Sequence, residues 1–359
     1  MTTTSSDSSS AKFNPYKMHD PSQIAQRLES IIQSITEKKQ IALFIEPTSH
    51  CNLSCSFCAM HSTAVDLDND SDGKVARKTK SHMRHSEFSL LLSAWRKAEL
   101  PPLKMLQFSG HGEPLLNKEL EKMVASAKET NISELISVTT NGVLLNKDRF
   151  ISLINAGVNE FRVSLDSLSK ETYKAIKGAD EAERLKNNIL ECLNVLKEKK
   201  PPVRMMIECI RLHKKGTKDL ISEEKLINTH LGQAVTTTEG ASLRWRDEMN
   251  WIGQMGHGEP FYRNKPCEFP FYVLLIHSDC TISSCCADTA KKFVIGNLKT
   301  VDNFREITEN KLLRDLQRSL LKLEFHNLKQ CSRCNFKSLV DDALLENRDS
   351  ILKILDSDY

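Results

Sequence analysis

The chain has 359 residues, with 50 basic and 47 acidic side chains that leave a formal net charge of +3. This length allows one large domain and a smaller one, and the balanced charge argues against nucleic acid or an anionic membrane as the main partner. No apolar run approaches the roughly 20 residues of a membrane span, and residues 1–10 lack the features of a signal peptide, so a cytoplasmic protein is predicted.

Secondary structure is predicted from hydrophobic periodicity. Residues 1–20 are polar without pattern and are predicted to be disordered. Strands are predicted over residues 41–45, 104–109, 135–139, 160–165 and 203–210, with a weaker sixth over residues 241–245. Helices are predicted over residues 22–35, 86–98, 118–129, 147–155 and 180–199. Strands that alternate with helices predict an α/β fold with a mostly parallel sheet, in a full or partial barrel.

A cysteine motif follows the first predicted strand directly. Cys51, Cys55 and Cys58 have the spacing C-x3-C-x2-C. Three thiolates suit a [4Fe-4S] cluster, which then keeps one iron open for another ligand. A zinc ion completed by a histidine such as His50 or His61 is the alternative. The segment over residues 66–82 interrupts the pattern after this loop and is predicted to be a solvated loop, with a mobile lid as the other interpretation.

Polar turns follow the next three predicted strands, at residues 110–114 (GHGEP), 139–142 (TTNG) and 164–167 (SLDS). Barrel folds carry their active sites on the loops at the C-terminal ends of the strands. The three turns are therefore predicted to lie beside the cysteine loop.

Together these motifs resemble the radical S-adenosylmethionine (SAM) enzymes. The resemblance implies that Cys51, Cys55 and Cys58 hold a SAM-binding [4Fe-4S] cluster. Reductive cleavage of SAM to a 5′-deoxyadenosyl radical, which abstracts a substrate hydrogen, is the implied chemistry. The implied SAM contacts are Phe57, Gly112, Glu113, Thr140, Asn141, Ser164 and Asp166. Two points differ: His111 departs from the commonest Gly-Gly-Glu-Pro form, and Asp166 is also a candidate cap for the helix that begins near Ser169.

The other cysteines show a second pattern. The chain has 11 cysteines, which in a reducing compartment favours metal or redox chemistry over disulfides. Cys192 and Cys209 are predicted to be core thiols. In the C-terminal part, two apolar runs predict a β-hairpin, a helical stretch follows over residues 301–323, and the cysteines are Cys267, Cys280, Cys285, Cys286, Cys331 and Cys334. On spacing alone, four of them suit a zinc ion.

This second pattern resembles the SPASM extension of radical SAM proteins in its shortened, single-cluster form, called twitch. The resemblance implies one auxiliary [4Fe-4S] cluster held by Cys267, Cys285, Cys331 and Cys334. Cys285 is preferred over Cys286 as a ligand, and Cys280 and Cys286 become either packed thiols or hydrogen-atom donors. The implied organisation is a disordered N-terminus (1–20), a partial (β/α)6 TIM-like barrel (21–255), a SPASM/twitch domain of a β-hairpin and a helix (256–340) and a helical tail (341–359).

Twitch proteins of this size resemble dehydrogenases that act on aminocyclitols or sugars. The resemblance implies oxidation of a secondary alcohol, an auxiliary cluster that accepts an electron, and an external one-electron reductant such as flavodoxin or ferredoxin. Candidate bases for the hydroxyl proton are Arg244, Arg246, Asp247, Glu248 and His257. The alternatives are modification of a peptide or protein and radical epimerisation of a sugar. A zinc-bound structural or RNA-binding protein is the hypothesis from a different class.

Overall fold

The computed structural model describes residues 21–62, 80–211, 220–251, 262–338 and 340–357. Three sequence predictions fall outside this part of the chain: the disorder of residues 1–20, most of the loop over residues 66–82, and the candidate base His257.

In the described part of the chain, nine strands form one sheet in the order β6-β5-β4-β3-β2-β1-β7-β8-β9. The strands are β1 (Ala42–Ile45), β2 (Met105–Phe108), β3 (Ile136–Thr140), β4 (Glu160–Ser164), β5 (Arg204–Arg211), β6 (Ala241–Asp247), β7 (Val273–Ile276), β8 (Thr281–Ser283) and β9 (Val294–Asn297). Strands β1 to β6 are all parallel to their neighbours. The α/β fold with a parallel sheet is confirmed, and all six predicted strands are present.

Helices connect the parallel strands and surround the C-terminal part. They are α1 (Pro21–Thr36), α2 (His85–Lys97), α3 (Leu120–Glu129), α4 (Lys147–Ala156), α5 (Lys170–Lys177), α6 (Ala182–Lys199), α7 (Leu220–Ile227), α8 (Gln233–Thr236), α9 (Phe269–Tyr272), α10 (Arg305–Thr308), α11 (Lys311–Leu321), α12 (Lys329–Ser332), α13 (Val340–Glu346) and α14 (Arg348–Asp356). None of the described helices is long and apolar enough to cross a membrane.

The single helix predicted over residues 301–323 is interrupted. It is two helices, α10 and α11, because Asn310 lies between them in an extended conformation and its side chain accepts a hydrogen bond from the amide of Leu312. Asparagine is a strong N-cap residue, so it begins a new helix at this point.

The two faces of the parallel sheet differ in chemistry. Side chains alternate between faces along a strand. Leu43, Leu106 and Phe161 lie on the outer face and join the large core beneath helices α2 to α6. Gln107 and Arg162, one residue away on the same strands, therefore lie on the opposite, inner face, where both are buried.

The first strand of the predicted C-terminal hairpin belongs to the barrel sheet. β7 pairs in parallel with β1 and antiparallel with β8. The hairpin is confirmed, but it is not a separate small sheet. All four β7 residues, Val-Leu-Leu-Ile, are buried, as expected of an interior strand that is covered on both faces.

A second core joins the two ends of the chain. Ile31 and Ile35 of α1 share an apolar cluster with Leu344 of α13 and with Ile351 and Leu355 of α14. The predicted C-terminal helical tail is thus packed against the N-terminal helix. The domain boundaries at residues 255 and 340 stay predictions, since the core and the sheet run across them.

Candidate active site

The predicted turns lie beside the cysteine loop, because parallel strands place their C-terminal ends at one edge of the sheet. The amide of Glu113 donates to the carbonyl of His50 over 2.8 Å. The side-chain amide of Asn141 donates to Oδ1 of Asn52 over 2.8 Å and reaches Sγ of Cys51 at 4.0 Å. The turns after β2 and β3 therefore support the cysteine loop from one side.

Glu113 organises this support through its carboxylate. Oε1 accepts from the hydroxyl of Thr140 at 2.6 Å and from the amide of Leu115 at 3.0 Å, and Oε2 accepts from the amide of Asn141 at 2.7 Å. Burial raises the pKa of Glu113 although these donors oppose the rise. The carboxylate and the Thr140 hydroxyl are thus engaged within the protein, and contact of either with SAM stays a prediction.

Gly112 is required by a close approach of two backbones. A Cβ atom at this position would lie 2.1 Å from the carbonyl oxygen of Thr48 and 2.6 Å from that of His50. Both distances are far below van der Waals contact with backbone atoms that cannot rotate away. The glycine allows the GHGEP turn to pack directly against the start of the cysteine loop.

Asp166 does not cap the following helix. Ser169 caps α5, since its hydroxyl accepts from the amide of Thr172 at 3.3 Å. Oδ1 of Asp166 accepts from the amide of Ile210 at 2.7 Å, and Oδ2 forms an ion pair with Lys177. The capping alternative is wrong because Asp166 turns into the interior, toward a buried cation that the sequence did not indicate. Its contact with SAM stays a prediction.

Lys177 connects α5 to the cysteine loop. Its ammonium lies 5.3 Å from the centroid of the Phe57 ring, within the range of a cation–π contact. Burial alone would lower the pKa of Lys177, but the charges of Asp166 and Cys55 outweigh it and the pKa is raised. The carbonyls that end α5 also accept from the loop, from the amide of Ser56 to Ile176 and from that of Ser54 to Lys177.

Ser164 and Phe57 complete the predicted SAM contacts. Ser164 ends β4 at the same edge of the sheet and is half-buried, and no partner holds its hydroxyl among the described residues. Phe57 is half-buried, and its carbonyl accepts from the indole Nε1 of Trp251 at 2.7 Å. The structure thus brings all seven predicted contacts to one region but engages most of their polar groups internally.

The three loop cysteines are half-buried free thiols. Burial raises the pKa of Cys51 to about 12 and that of Cys55 to about 11, with further contributions from the neighbouring thiols. A single zinc ion needs sulfur atoms about 3.8 Å apart, given Zn–S bonds of about 2.3 Å. In the described part of the chain, no three cysteine, histidine or acidic ligands that include these thiols converge within 4.8 Å. The loop thiols, as placed, thus do not form a single-ion site with any of the described ligands.

The four predicted auxiliary ligands line one cavity. Cys267, Cys285, Cys331 and Cys334 border one cavity of about 20 Å³, and most of the other lining residues are apolar. Burial raises the pKa of Cys331 to about 12 and raises those of Cys267 and Cys285 well above their ordinary value. Thiols with raised pKa values stay protonated until a metal binds, and four of them around one cavity suit a metal–thiolate cluster that deprotonates its ligands.

Cys286 and Cys280 have different surroundings. Cys286 does not border the cavity. Burial raises its pKa to about 12, and Cys334 and Arg246 are among the charged groups that act on its thiol. Cys280 is fully buried in the main core, and its charged neighbours include Glu87 and Lys299 but no cysteine. The arrangement favours Cys285 over Cys286 as a ligand and gives Cys280 the place of a packed thiol.

Polar side chains continue across the inner face of the sheet below the loop. Nη2 of Arg162 lies 2.5 Å from Oε1 of Glu208, and Nη1 lies 3.4 Å from Oε1 of Gln107. Nη1 of Arg246, on β6, lies 3.4 Å from Oε1 of Glu208. Sequence reasoning missed Gln107, Arg162 and Glu208, although single polar residues inside apolar strands were a usable signal.

The candidate bases are not equivalent. Arg244 and Arg246 lie on β6, and both act on the charge of Glu208. Asp247 is exposed, and its Oδ1 lies 3.9 Å from Nη1 of Arg211. The backbone carbonyl of Glu248 accepts from the side chain of Asn335 at 3.1 Å.

Two family models match the chain. A model of the radical SAM superfamily matches residues 45–207, which include the cysteine loop and the three turns. The chain thus contains a radical SAM domain. A model of the SPASM iron–sulfur cluster-binding domain matches residues 267–335, which begin at Cys267 and end one residue after Cys334. Radical SAM domains bind SAM and a [4Fe-4S] cluster, and SPASM domains bind auxiliary iron–sulfur clusters, so the zinc-bound structural or RNA-binding hypothesis is not supported.

Relatives and solved structures agree on the fold. The "Probable GTP 3′,8-cyclase" of Methanocaldococcus jannaschii is 34% identical over 154 residues, which cover 43% of this radical SAM chain and 46% of that relative. The chain thus spans under half the length of this relative. The crystal structure of BtrN with AdoMet and 2-DOIA has a TM-score of 0.53 at 18% identity and covers 83% of this chain and 93% of that one.

A second structural neighbour is Streptococcus suis SuiB bound to precursor peptide SuiA. It has a TM-score of 0.52 at 14% identity and covers 84% of this chain and 72% of that one. At these identities, both neighbours establish the fold and leave the substrate open.

Proposed function

We propose that this radical SAM enzyme oxidises a secondary alcohol of an aminocyclitol or sugar to a ketone. Four thiols that line one pocket, three of them half-buried and that of Cys334 buried, are the observation on which the proposal depends. If Cys267, Cys285, Cys331 and Cys334 occupy all four irons, the auxiliary cluster keeps no open iron for substrate, and electron transfer is the role that remains.

The loop cysteines would hold the SAM-binding cluster. Cys51, Cys55 and Cys58 would ligate the second [4Fe-4S] cluster, with SAM beside Ser164 and Phe57. When bound, this pair supplies a one-electron route for removing a hydrogen atom from a substrate carbon. The residues around it position the loop, through Gly112, Glu113 and Asn141.

The inner face of the sheet suits a substrate with many hydroxyl groups. Gln107, Arg162, Glu208 and Arg246 present alternating donors and acceptors below the cysteine loop. These side chains can exchange the hydrogen bonds among themselves for hydrogen bonds to sugar hydroxyls. A buried site without donors and acceptors would disfavour the sugar hydroxyls.

Conversion of the alcohol to a ketone removes one hydrogen atom, one proton and one electron from the substrate. The auxiliary cluster would accept the electron, and Arg246 of the inner face acts on the charge of Cys286, the chain neighbour of the cavity residue Cys285. The initial electron would come from an external reductant such as flavodoxin or ferredoxin.

Two alternatives remain within the family. Peptide or protein modification is kept because SuiB, of similar fold, was solved with its precursor peptide. Radical epimerisation needs a thiol that returns a hydrogen atom, and of the two candidates Cys286 is the one beside the inner face, since Cys280 is in the core.

The test is anaerobic incubation with SAM, reductant and a panel of aminocyclitols, sugars, GTP and short peptides, followed by mass spectrometry. Loss of two mass units from an aminocyclitol or sugar supports the proposal. Unchanged mass with deuterium uptake from solvent supports epimerisation, and conversion of GTP or a peptide alone overturns the proposal. A Cys55→Ala variant controls for chemistry that does not need the loop cluster.

A further inference from the structure

A set of metal-binding side chains lies outside both cysteine groups, at the C-terminal ends of β1 and β7 and in the GHGEP turn. Glu46, His111 and His277 are the one set of three histidine, cysteine or acidic residues, in the part of the chain that the structure describes, whose ligand atoms lie within 4.8 Å of one another. All three are buried. We propose that they form a separate binding site for a divalent transition-metal ion of the zinc class.

The ligand types match this class of ion. Two imidazoles and one carboxylate bind zinc in many catalytic sites, and the same set also binds other first-row divalent metals. A site of three protein ligands leaves coordination positions for water or substrate. This differs from the two cysteine groups, whose thiolates suit iron–sulfur clusters.

The contact between His111 and Glu46 has the geometry of two ligands of one ion. Nδ1 of His111 lies 3.1 Å from Oε2 of Glu46, yet neither ring nitrogen of His111 makes an aligned hydrogen bond in the described structure. With metal–ligand distances of about 2.1 Å, this separation corresponds to an angle between the ideal octahedral and tetrahedral values at the ion. Nδ1 thus has only this poorly aligned contact and Nε2 has no partner, which is costly for a buried imidazole unless another group binds it.

Surrounding groups orient the carboxylate. Oε1 of Glu46 accepts from the amide and the hydroxyl of Ser278 at 3.2 and 2.8 Å. Oε2 accepts from the amide of His111 at 2.9 Å, which leaves that oxygen a second lone pair. Hydrogen bonds of this kind around a ligating carboxylate are typical of metal sites.

The tautomer of His277 follows from a chain of hydrogen bonds. Nε2 of His277 lies 2.8 Å from the hydroxyl of Ser283, and this hydroxyl also bonds to the carboxylate of Asp288. A carboxylate accepts, so the Ser283 hydroxyl donates to Asp288 and accepts from Nε2–H. Nδ1 of His277 then carries the lone pair that a cation needs.

The site lies directly below the cysteine loop. The carbonyl of His111 is 2.8 Å from Nε2 of His61, and the ring of Trp251, which bonds to Phe57 of the loop, is 6.0 Å from the ring of His111. If the proposed function is right, on which this role rests, the ion would bind a hydroxyl oxygen of the substrate and lower its pKa. The ion does not change its oxidation state. The proton released from the substrate hydroxyl passes to solvent.

Zinc retention by the intact enzyme tests the site. The protein is prepared anaerobically with its clusters, incubated with Zn²⁺, freed of excess metal and analysed for zinc, iron and sulfide. We expect one zinc per chain in the parent enzyme, and at least tenfold less in His277→Asn and His111→Ala with iron and sulfide unchanged. His85→Ala is the matched control, because its ring bonds to Ser126 at 2.8 Å, outside the site, and it should retain zinc fully.

Two results overturn the site: a parent enzyme that retains no zinc, or ligand variants that retain as much as the parent, which would assign the zinc to cysteines or the surface. If the variants lose iron and fail to fold, the thermal midpoint of the parent decides, since a real site must raise it when Zn²⁺ is added. Zinc retention without alcohol oxidation would refute the proposed function but not the site. Alcohol oxidation by an enzyme that retains no zinc would refute the site but not the proposed function.

Discussion

The ammonium of Lys177 and the carboxylate of Asp166 form an ion pair inside the protein, with 2% and 1% of their side-chain surfaces exposed. The pair lies where α5 meets the cysteine loop, and Cys55 is among the groups that act on the charge of Lys177. The ion pair therefore connects the C-terminal end of β4 to the cysteine loop by electrostatic attraction rather than by apolar packing.

Replacing Lys177 by Met should destabilise the protein by about 3–5 kcal/mol, because it leaves a buried carboxylate without its counter-ion. The double variant with Asp166→Asn should recover part of this loss. Chemical denaturation followed by circular dichroism measures both. Lys170→Met is the control, since Lys170 lies on the same helix as Lys177 and its exposed pair with Asp180 should contribute nothing measurable. Equal effects at Lys170 and Lys177 would contradict the assignment.

Gly112→Ala should prevent assembly of the loop cluster, because its Cβ would meet the carbonyl oxygen of Thr48 at 2.1 Å. We expect iron to fall from about eight to about four atoms per chain and SAM cleavage to be lost. Gly232→Ala is a matched control, since a Cβ there makes only ordinary contacts, the nearest at 3.7 Å. Full iron content in Gly112→Ala would show that the loop can move away.

Cys331→Ala should remove the auxiliary cluster and spare some SAM cleavage, whereas Cys286→Ala should keep all the iron, since Cys286 does not border the cavity. Iron and sulfide analysis with electron paramagnetic resonance separates the two variants. Loss of the auxiliary signal in Cys286→Ala, with the signal kept in Cys285→Ala, would reverse the assignment of ligands.

Stability should decrease as the pH falls below about 6.5, the ordinary pKa of histidine. Burial lowers the pKa of His277 to about 4, so the folded state keeps the ring neutral while the unfolded state takes up a proton. The stability from this group is complete above pH 6.5 and is lost as the pH falls toward 4. Between pH 6.5 and 5.5 the loss should be about 1 kcal/mol.

Urea unfolding at pH 7.5, 6.5 and 5.5 measures this dependence, with chelator present to exclude zinc. His277→Gln should reduce the slope over this range, and part of the slope should remain because burial also lowers the pKa of His61 to about 4. Parallel curves for the parent and the variant would show that His277 does not titrate as its burial requires.

The sequence was sufficient for the architecture and for the chemistry of the cysteine groups. Alternating strand and helix patterns predicted all six parallel strands, because apolar periodicity depends mainly on local residue order. The C-x3-C-x2-C loop and the polar turns were assigned to one edge of the sheet by the same topology. Spacing also grouped Cys267, Cys285, Cys331 and Cys334, which lie around one cavity.

The tertiary structure determines which polar groups form hydrogen bonds or ion pairs, and which residues are their partners. Lys177 and His277 carry no motif, and each interacts with a residue of another element, Asp166 after β4 or Glu46 after β1. The parallel pairing of β7 with β1 was equally hidden, because an apolar four-residue run does not specify its partner. Local sequence determines periodicity and loop chemistry, but ion pairs, strand neighbours and convergent ligands depend on distances that only the packed chain establishes.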